Sequence, residues 1–145
     1  MIHPAPTSAI DPKLARGTLR EIVPETATKA GYIVAAYFNS NYKLHLRPTA
    51  EITVQPGAPL IGTIHAEARR MDKVGSGGRY VEPVEGRPRR IQGMVIAIEG
   101  DAVVVHGGVP IHCTPTAPGQ SATDFAIGDF VTFDVLDGSR FTPAD

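Results

Sequence analysis

The stretch at residues 60–73, LIGTIHAEARRMDK, decides whether this chain is built from strands alone or carries a helix. Taken two by two, Leu60, Gly62, Ile64, Ala66 and Ala68 fall on one face. Ile61, Thr63, His65, Glu67 and Arg69 fall on the other. Period two is the signature of a strand with one buried side. The competing reading is a helix from Ile64 onward, because HAEARRM is made of good helix formers. Thr63 and the flanking glycines favour the long strand, and with it an all-β chain.

Working upstream, GYIVAAYF (residues 31–38) and YKLHLR (42–47) flank Asn39-Ser40-Asn41. Asn tolerates the left-handed backbone of tight turns, so the pair reads as a β-hairpin. Tyr42, Leu44 and Leu46 share one face of its second strand, and Lys43, His45 and Arg47 face water. TLREIV (18–23) is a short strand stopped by Pro24, and residues 50–54 form another before the turn Gln55-Pro56-Gly57. Residues 1–17, with Pro4, Pro6 and Pro12, read as an irregular arm with one helical turn near residues 12–16.

Downstream, IQGMVIAIE (91–99) has apolar residues on both faces and reads as a central strand. Gly100-Asp101 turns into AVVVH (102–106), and Gly107-Gly108 into VPIHCT (109–114). Pro110 has no N–H to give, which places that strand at an edge or a bulge. A helical turn is expected at 124–128, and DFVTFDVL (129–136) closes the domain. The 145 residues, with 15 Gly and 13 Pro, fit one domain of many short strands, residues 1–145. A division that sets residues 18–55 apart as a hairpin subdomain is the alternative.

Charge is distributed unevenly. Residues 69–90 hold Arg69, Arg70, Lys73, Arg79, Arg87, Arg89 and Arg90 against Asp72, Glu82 and Glu85. Residues 91–145 hold Glu99, Asp101, Asp124, Asp129, Asp134, Asp137 and Asp145 against Arg140 alone. The basic stretch surrounds Gly75-Ser76-Gly77-Gly78 and reads as a long hairpin arm. Such asymmetry marks either a polyanion site or two patches that pair between or within subunits.

Residues 91–135 resemble the OB-fold group, in its S1 type of RNA-binding domain. The likeness lies in Gly93-Met94-Val95, the Gly100-Asp101 turn, the strand 102–105, and Phe125-Ala126-Ile127-Gly128-Asp129-Phe130-Val131. It implies a small OB-like β-barrel, here with an N-terminal β-hairpin extension and a long basic hairpin arm. The chain departs from the group at Val103-Val104-Val105, where RNA-binding members carry aromatic residues on which bases stack.

Cys113 is the only cysteine, which excludes a disulfide framework and fits a cytoplasmic setting. Its neighbour His112 points to the opposite face of the strand and does not activate it. Cys113 is expected to be a small buried hydrophobe. His45, His65, His106 and His112 lack the HxH or HxxxH spacing of a metal site, so neither metal nor cofactor is expected. Gly78 is followed by Arg79 and Tyr80 rather than Lys and Ser/Thr, which excludes a Walker loop.

The leading expectation is a non-enzymatic binding module without catalytic residues and without a membrane span. Its arm contacts single-stranded nucleic acid or another polyanion through Arg69, Arg70, Lys73, Arg79, Arg87, Arg89 and Arg90, with Tyr80 stacking on a base. The alternatives are an assembly module whose arm docks on an acidic surface of a neighbouring subunit in a homo-oligomer, and, third, a barrel enzyme with a histidine-lined pocket.

Overall fold

The computed structural model describes residues 11–37 and 40–144. Along them run β1 (Ala15–Val23), β2 (Tyr32–Tyr37), β3 (Lys43–Pro48), β4 (Pro59–Ala68), β5 (Asp72–Lys73) and β6 (Tyr80–Glu82). They are followed by β7 (Glu85–Gly86), β8 (Arg90–Glu99), β9 (Ala102–His106), β10 (Pro110–Pro115), β11 (Phe130–Asp134) and β12 (Arg140–Pro143). A 3-10 turn at Ala122–Asp124 precedes β11.

The strand order β1-β2-β3-β12-β4 returns to β1, where Ala15 pairs with Gly62 and Thr18 with Pro59. Five strands thus close a β-barrel. The β3–β12 pair is parallel and the other neighbours are antiparallel. Closure draws backbones close together. A Cβ at Gly62 would run into the Thr142 carbonyl oxygen and the Phe141 ring, which is why β4 carries glycine there.

β4 then continues past this barrel into a second ring. Its far half pairs in parallel with β10, from His112↔His65 to Pro115↔Ala68. β10, β9, β8 and β11 follow as antiparallel neighbours. The ring is completed where Ala68 bridges Val135. Flanking the bridge, the Arg69 N–H donates to the Asp134 oxygen at 2.8 Å and the Leu136 N–H to the Glu67 oxygen at 2.8 Å. The strand senses repeat those of the first barrel, with β4 in the place of β12 and β11 in the place of β4.

One long strand therefore serves two rings, and its alternation makes this feasible. Leu60, Ile64, Ala66 and Ala68 are all buried and join a single apolar cluster running from Ala15 to Phe141. The period-two reading of residues 60–68 holds along the whole strand.

Several expectations are corrected. The hairpin of β2 and β3, expected as an extension, is part of the first barrel wall; residues 38 and 39 of its turn lie outside the described residues. β1 begins at Ala15, inside the stretch expected to be irregular; residues 1–10 of that arm lie outside the described residues. Residues 50–54 form no strand, because the edges of β1, β3 and β4 nearby are already paired; Ile52 and Val54 pack on the core instead. The helical turn falls at 122–124, ahead of 124–128. β11 does not close the domain. That role belongs to β12, a short strand with Phe141 fully buried.

The basic stretch does not stand away from the body. Met71 and Val81 are buried, β5 pairs with β11, β6 with β8, and β7 with β3. It is a strap across both rings. Apolar residues interspersed among its charges hold it down.

Candidate functional site

The face of β2 and β3 that points away from the barrel interior carries a paired ring surface. Val34 lies opposite His45 and Ile33 opposite Leu46, so Tyr32 sits diagonally from His45. Their rings stack, with centroids 4.8 Å apart and planes 17° from parallel. Each ring of the pair keeps one outer face, the side on which a further planar ring can stack.

A cleft of about 430 Å³ opens over the platform. Thr28, Lys29, Ala30 and Gly31, between β1 and β2, form one wall. Arg47 of β3, Arg87 of the strap, Gly138 and Ser139 form the other. The parallel pairing Lys43↔Glu85 and Leu44↔Gly86 brings Arg87 alongside β3. The Arg47 N–H donates to the Ser139 oxygen at 2.9 Å, tying β3 to the segment before β12.

Both arginines turn toward one carboxylate. Arg87 Nη1 lies 3.1 Å from Asp137 Oδ2, and Arg47 Nη2 lies 3.9 Å from the same atom. Gly138 has φ +98°, and a Cβ there would press on the Arg47 guanidinium. Its lack of a side chain leaves room for that packing. Ser139 is 5% exposed, and its hydroxyl has no hydrogen-bond partner among the described residues.

A second depression, of about 700 Å³, lies where the strap rejoins the barrels. Arg69, Arg89 and Arg90 surround it, with Glu82, Pro83, Val84, Asp134 and Val135. Main-chain bonds fix their approach: Arg89 N–H to Glu82 oxygen at 2.8 Å, and Val135 N–H to Arg89 oxygen at 2.9 Å. Arg90 donates to Asp134 Oδ1 at 2.8 Å and to Thr132 Oγ1 at 3.0 Å. The Tyr80 hydroxyl and the Asp134 carboxylate push its pKa further up. The Arg69 and Arg89 guanidinium groups make no ion pair among the described residues.

The structure thus gathers some of the expected site residues and disperses others. Arg69, Arg87, Arg89 and Arg90 line neighbouring clefts. Lys73 pairs with Asp129 at 3.5 Å and stands 5.7 Å from the centre of the Phe125 ring. The Ala126 N–H, and after it Lys73, hold the Asp129 carboxyl below its ordinary pKa. Arg70 pairs with Asp72 at 3.6 Å, and Arg79 Nη2 lies 3.9 Å from Met94 Sδ. Tyr80 lies in the β6–β8 ladder opposite Gln92, its hydroxyl donating to Gln92 Oε1 at 3.2 Å. It lines neither cleft. Tyr32 and Lys29 were not among the expected site residues. Ser139 was missed with the strand that follows it.

The basic strap meets much of the acidic C-terminal third within one chain. Lys73–Asp129, Arg90–Asp134 and Arg87–Asp137 are the contacts. The sequence left open whether the two patches pair within or between subunits; these three pairs are internal.

His65 and His112, far apart in sequence, meet in the β4–β10 register with ring centroids 5.8 Å apart. His112 Nε2 lies 3.0 Å from the Lys13 carbonyl oxygen. Burial, then His112, then Arg140 lower the His65 pKa. Burial, then Arg79, lower that of His106. Among the described residues no group of three or more His, Cys, Asp or Glu is placed to hold a metal ion. Cys113 is fully buried, and burial pushes its thiol pKa far up, away from a reactive thiolate. No helix among the described residues is long and apolar enough to cross a membrane.

Compared with protein-family models, with curated proteins and with solved structures, the chain finds no match.

Proposed function

We propose that this chain is a non-enzymatic binding module of the OB-fold type, and that it takes nucleic acid in the cleft above Tyr32 and His45. The observation that carries the reading is the stacked Tyr32–His45 pair with Lys29, Arg47 and Arg87 around it. A nucleotide has a planar base and an anionic phosphate, and the cleft offers a partner to each. Base–aromatic stacking contributes roughly 1–3 kcal/mol per base, and phosphate contacts add a salt-sensitive part.

Position supports the same reading. OB-fold proteins bind oligonucleotides and oligosaccharides on the face of their second and third strands, with the loops after the first and fourth strands. Here Tyr32 lies on the second barrel strand, and His45 and Arg47 on the third. Residues 28–31 are in the loop after the first. Arg87, Gly138 and Ser139 belong to the long connection between the fourth strand, β4, and the fifth, β12. The absence of aromatic residues at 103–105 concerns the second ring, where this cleft does not lie.

The test is fluorescence anisotropy with a labelled single-stranded oligonucleotide across a range of salt. Binding at low salt that weakens steeply as salt rises is the expected result. No binding at low salt, or tight binding indifferent to salt, would sink the reading.

A further inference from the structure

The two arginine-lined clefts flank a third. Arg87 lines the first cleft and also a saddle formed with Pro88, Arg89, Val135 and Asp137. Arg89 and Val135 line both that saddle and the second cleft. The three clefts therefore adjoin in a row, from the Tyr32–His45 pair, past Arg87 and Pro88, to Arg69 and Arg89.

Its far end offers two kinds of surface. Arg69 and Arg89 are exposed cations without an ion pair among the described residues. Val84, which lines the same cleft next to Pro83, leaves 49% of its surface in solvent. Exposed apolar surface in a cleft that also holds arginines suits a ligand that alternates flat apolar rings with phosphates. It does not suit a uniformly charged polymer. Glu82 and Asp134 also line this end, and Asp134 is engaged by Arg90. They oppose an anion and keep purely electrostatic binding weak.

We propose that these clefts together take an unpaired nucleic-acid strand several nucleotides long, with one base seated on Tyr32–His45 and a second seat at Val84 in the cleft lined by Arg69 and Arg89. This rests on the function proposed above and adds the form of the ligand. Arg87 and Arg89 lie two residues apart between β7 and β8, so their backbones are at most about 7 Å apart. The two seats lie in different clefts, so a mononucleotide reaches one seat only. A base must also leave its partner to lie on a protein ring, which a closed duplex prevents.

The experiment is an affinity series on the full chain at low salt. Its probes are labelled thymidylate oligonucleotides from about two to about twelve nucleotides, bracketing the site sizes known for such barrels, and a blunt duplex of the longest length. Affinity is expected to rise at least tenfold from shortest to longest, with the duplex at least tenfold weaker than the longest strand. The Arg69→Ala, Arg89→Ala double variant is expected to abolish the gain with length, and the corresponding double lysine variant to restore most of it. Thermal unfolding of each variant checks that it folds. Affinity independent of length, a gain that survives in the alanine variant, or a duplex that binds as well as the strand would overturn the inference while leaving the platform in place. Failure of every oligonucleotide to bind the wild-type chain would instead overturn the function on which it rests.

Discussion

Arg87, from the strap, and Asp137, from the turn before the last strand, form an ion pair of 3.1 Å; Arg87 lines the platform cleft and Asp137 the saddle next to it. The carboxylate stands where a ligand phosphate would be drawn, and Arg47 reaches toward the same oxygen. Asp137 therefore acts as an internal competitor for the site's cations. An exposed pair of this kind contributes at most about 1 kcal/mol. Asp137→Asn should accordingly raise oligonucleotide affinity by up to about fivefold. Asp101→Asn, in the Gly100-Asp101 turn away from the groove, should change it little. Anisotropy at low salt checks both, and equal effects from the two substitutions would count against a specific role for Asp137.

Stacking and charge separate experimentally. Tyr32→Ala should weaken binding by roughly 1–3 kcal/mol while leaving the salt slope unchanged. Arg87→Ala should lower the slope of log affinity against log salt by about 0.7, the value for one lost phosphate contact on a single strand. A Tyr32→Ala variant that binds like wild type would remove the platform from the account.

The barrel depends on its last strand. Phe141 is fully buried and β12 fills the gap between β3 and β4. Phe141→Ala should cost about 3–5 kcal/mol of stability, read by urea unfolding. Gly62→Ala should also destabilise, since its methyl would strike Thr142 and Phe141. A cost below about 1 kcal/mol for Phe141→Ala would mean that the ring is not closed as described.

How much of this was legible in the sequence differs by element. β4 was readable because its alternation runs unbroken from Leu60 to Ala68, and β8, β9 and β10 because turns bracket them. β12 was not: Arg-Phe-Thr-Pro is too short for a period, and its pairing is wholly non-local, parallel to β3 and antiparallel to β4. Without it the hairpin looked like an appendage. The strap looked like a free arm because its charges are conspicuous, whereas Met71 and Val81, which hold it down, are isolated apolar residues. His45 and Arg47 were legible as a water-facing pair, but the match of Tyr32 to His45 depends on hairpin register. The clustering of Arg69, Arg87 and Arg89 depends on how β7 and β8 dock, which composition does not encode.

Stability should fall in mild acid. His65 and His106 have lowered pKa values in the fold, chiefly through burial. As pH drops below the ordinary value of 6.5, the unfolded chain takes up these protons before the folded one. Their contribution is therefore whole above that value and is lost as pH falls through the lowered folded values. The thermal midpoint should decline from about pH 7 to about pH 5, and His65→Gln should flatten part of the decline. An unchanged pH profile in that variant would assign the effect elsewhere.

The central claim, that ligands lie in the groove over Tyr32 and His45, is tested most directly by amide NMR. Labelled protein would be titrated with a thymidylate oligonucleotide at low salt. The expected shifts centre on Tyr32, His45 and Arg47 and extend through Arg87 and Arg89 to Arg69, with the Lys73–Asp129 region quiet. Shifts centred instead on the glycine stretch at residues 75–78 and Arg79, or none at all, would contradict it.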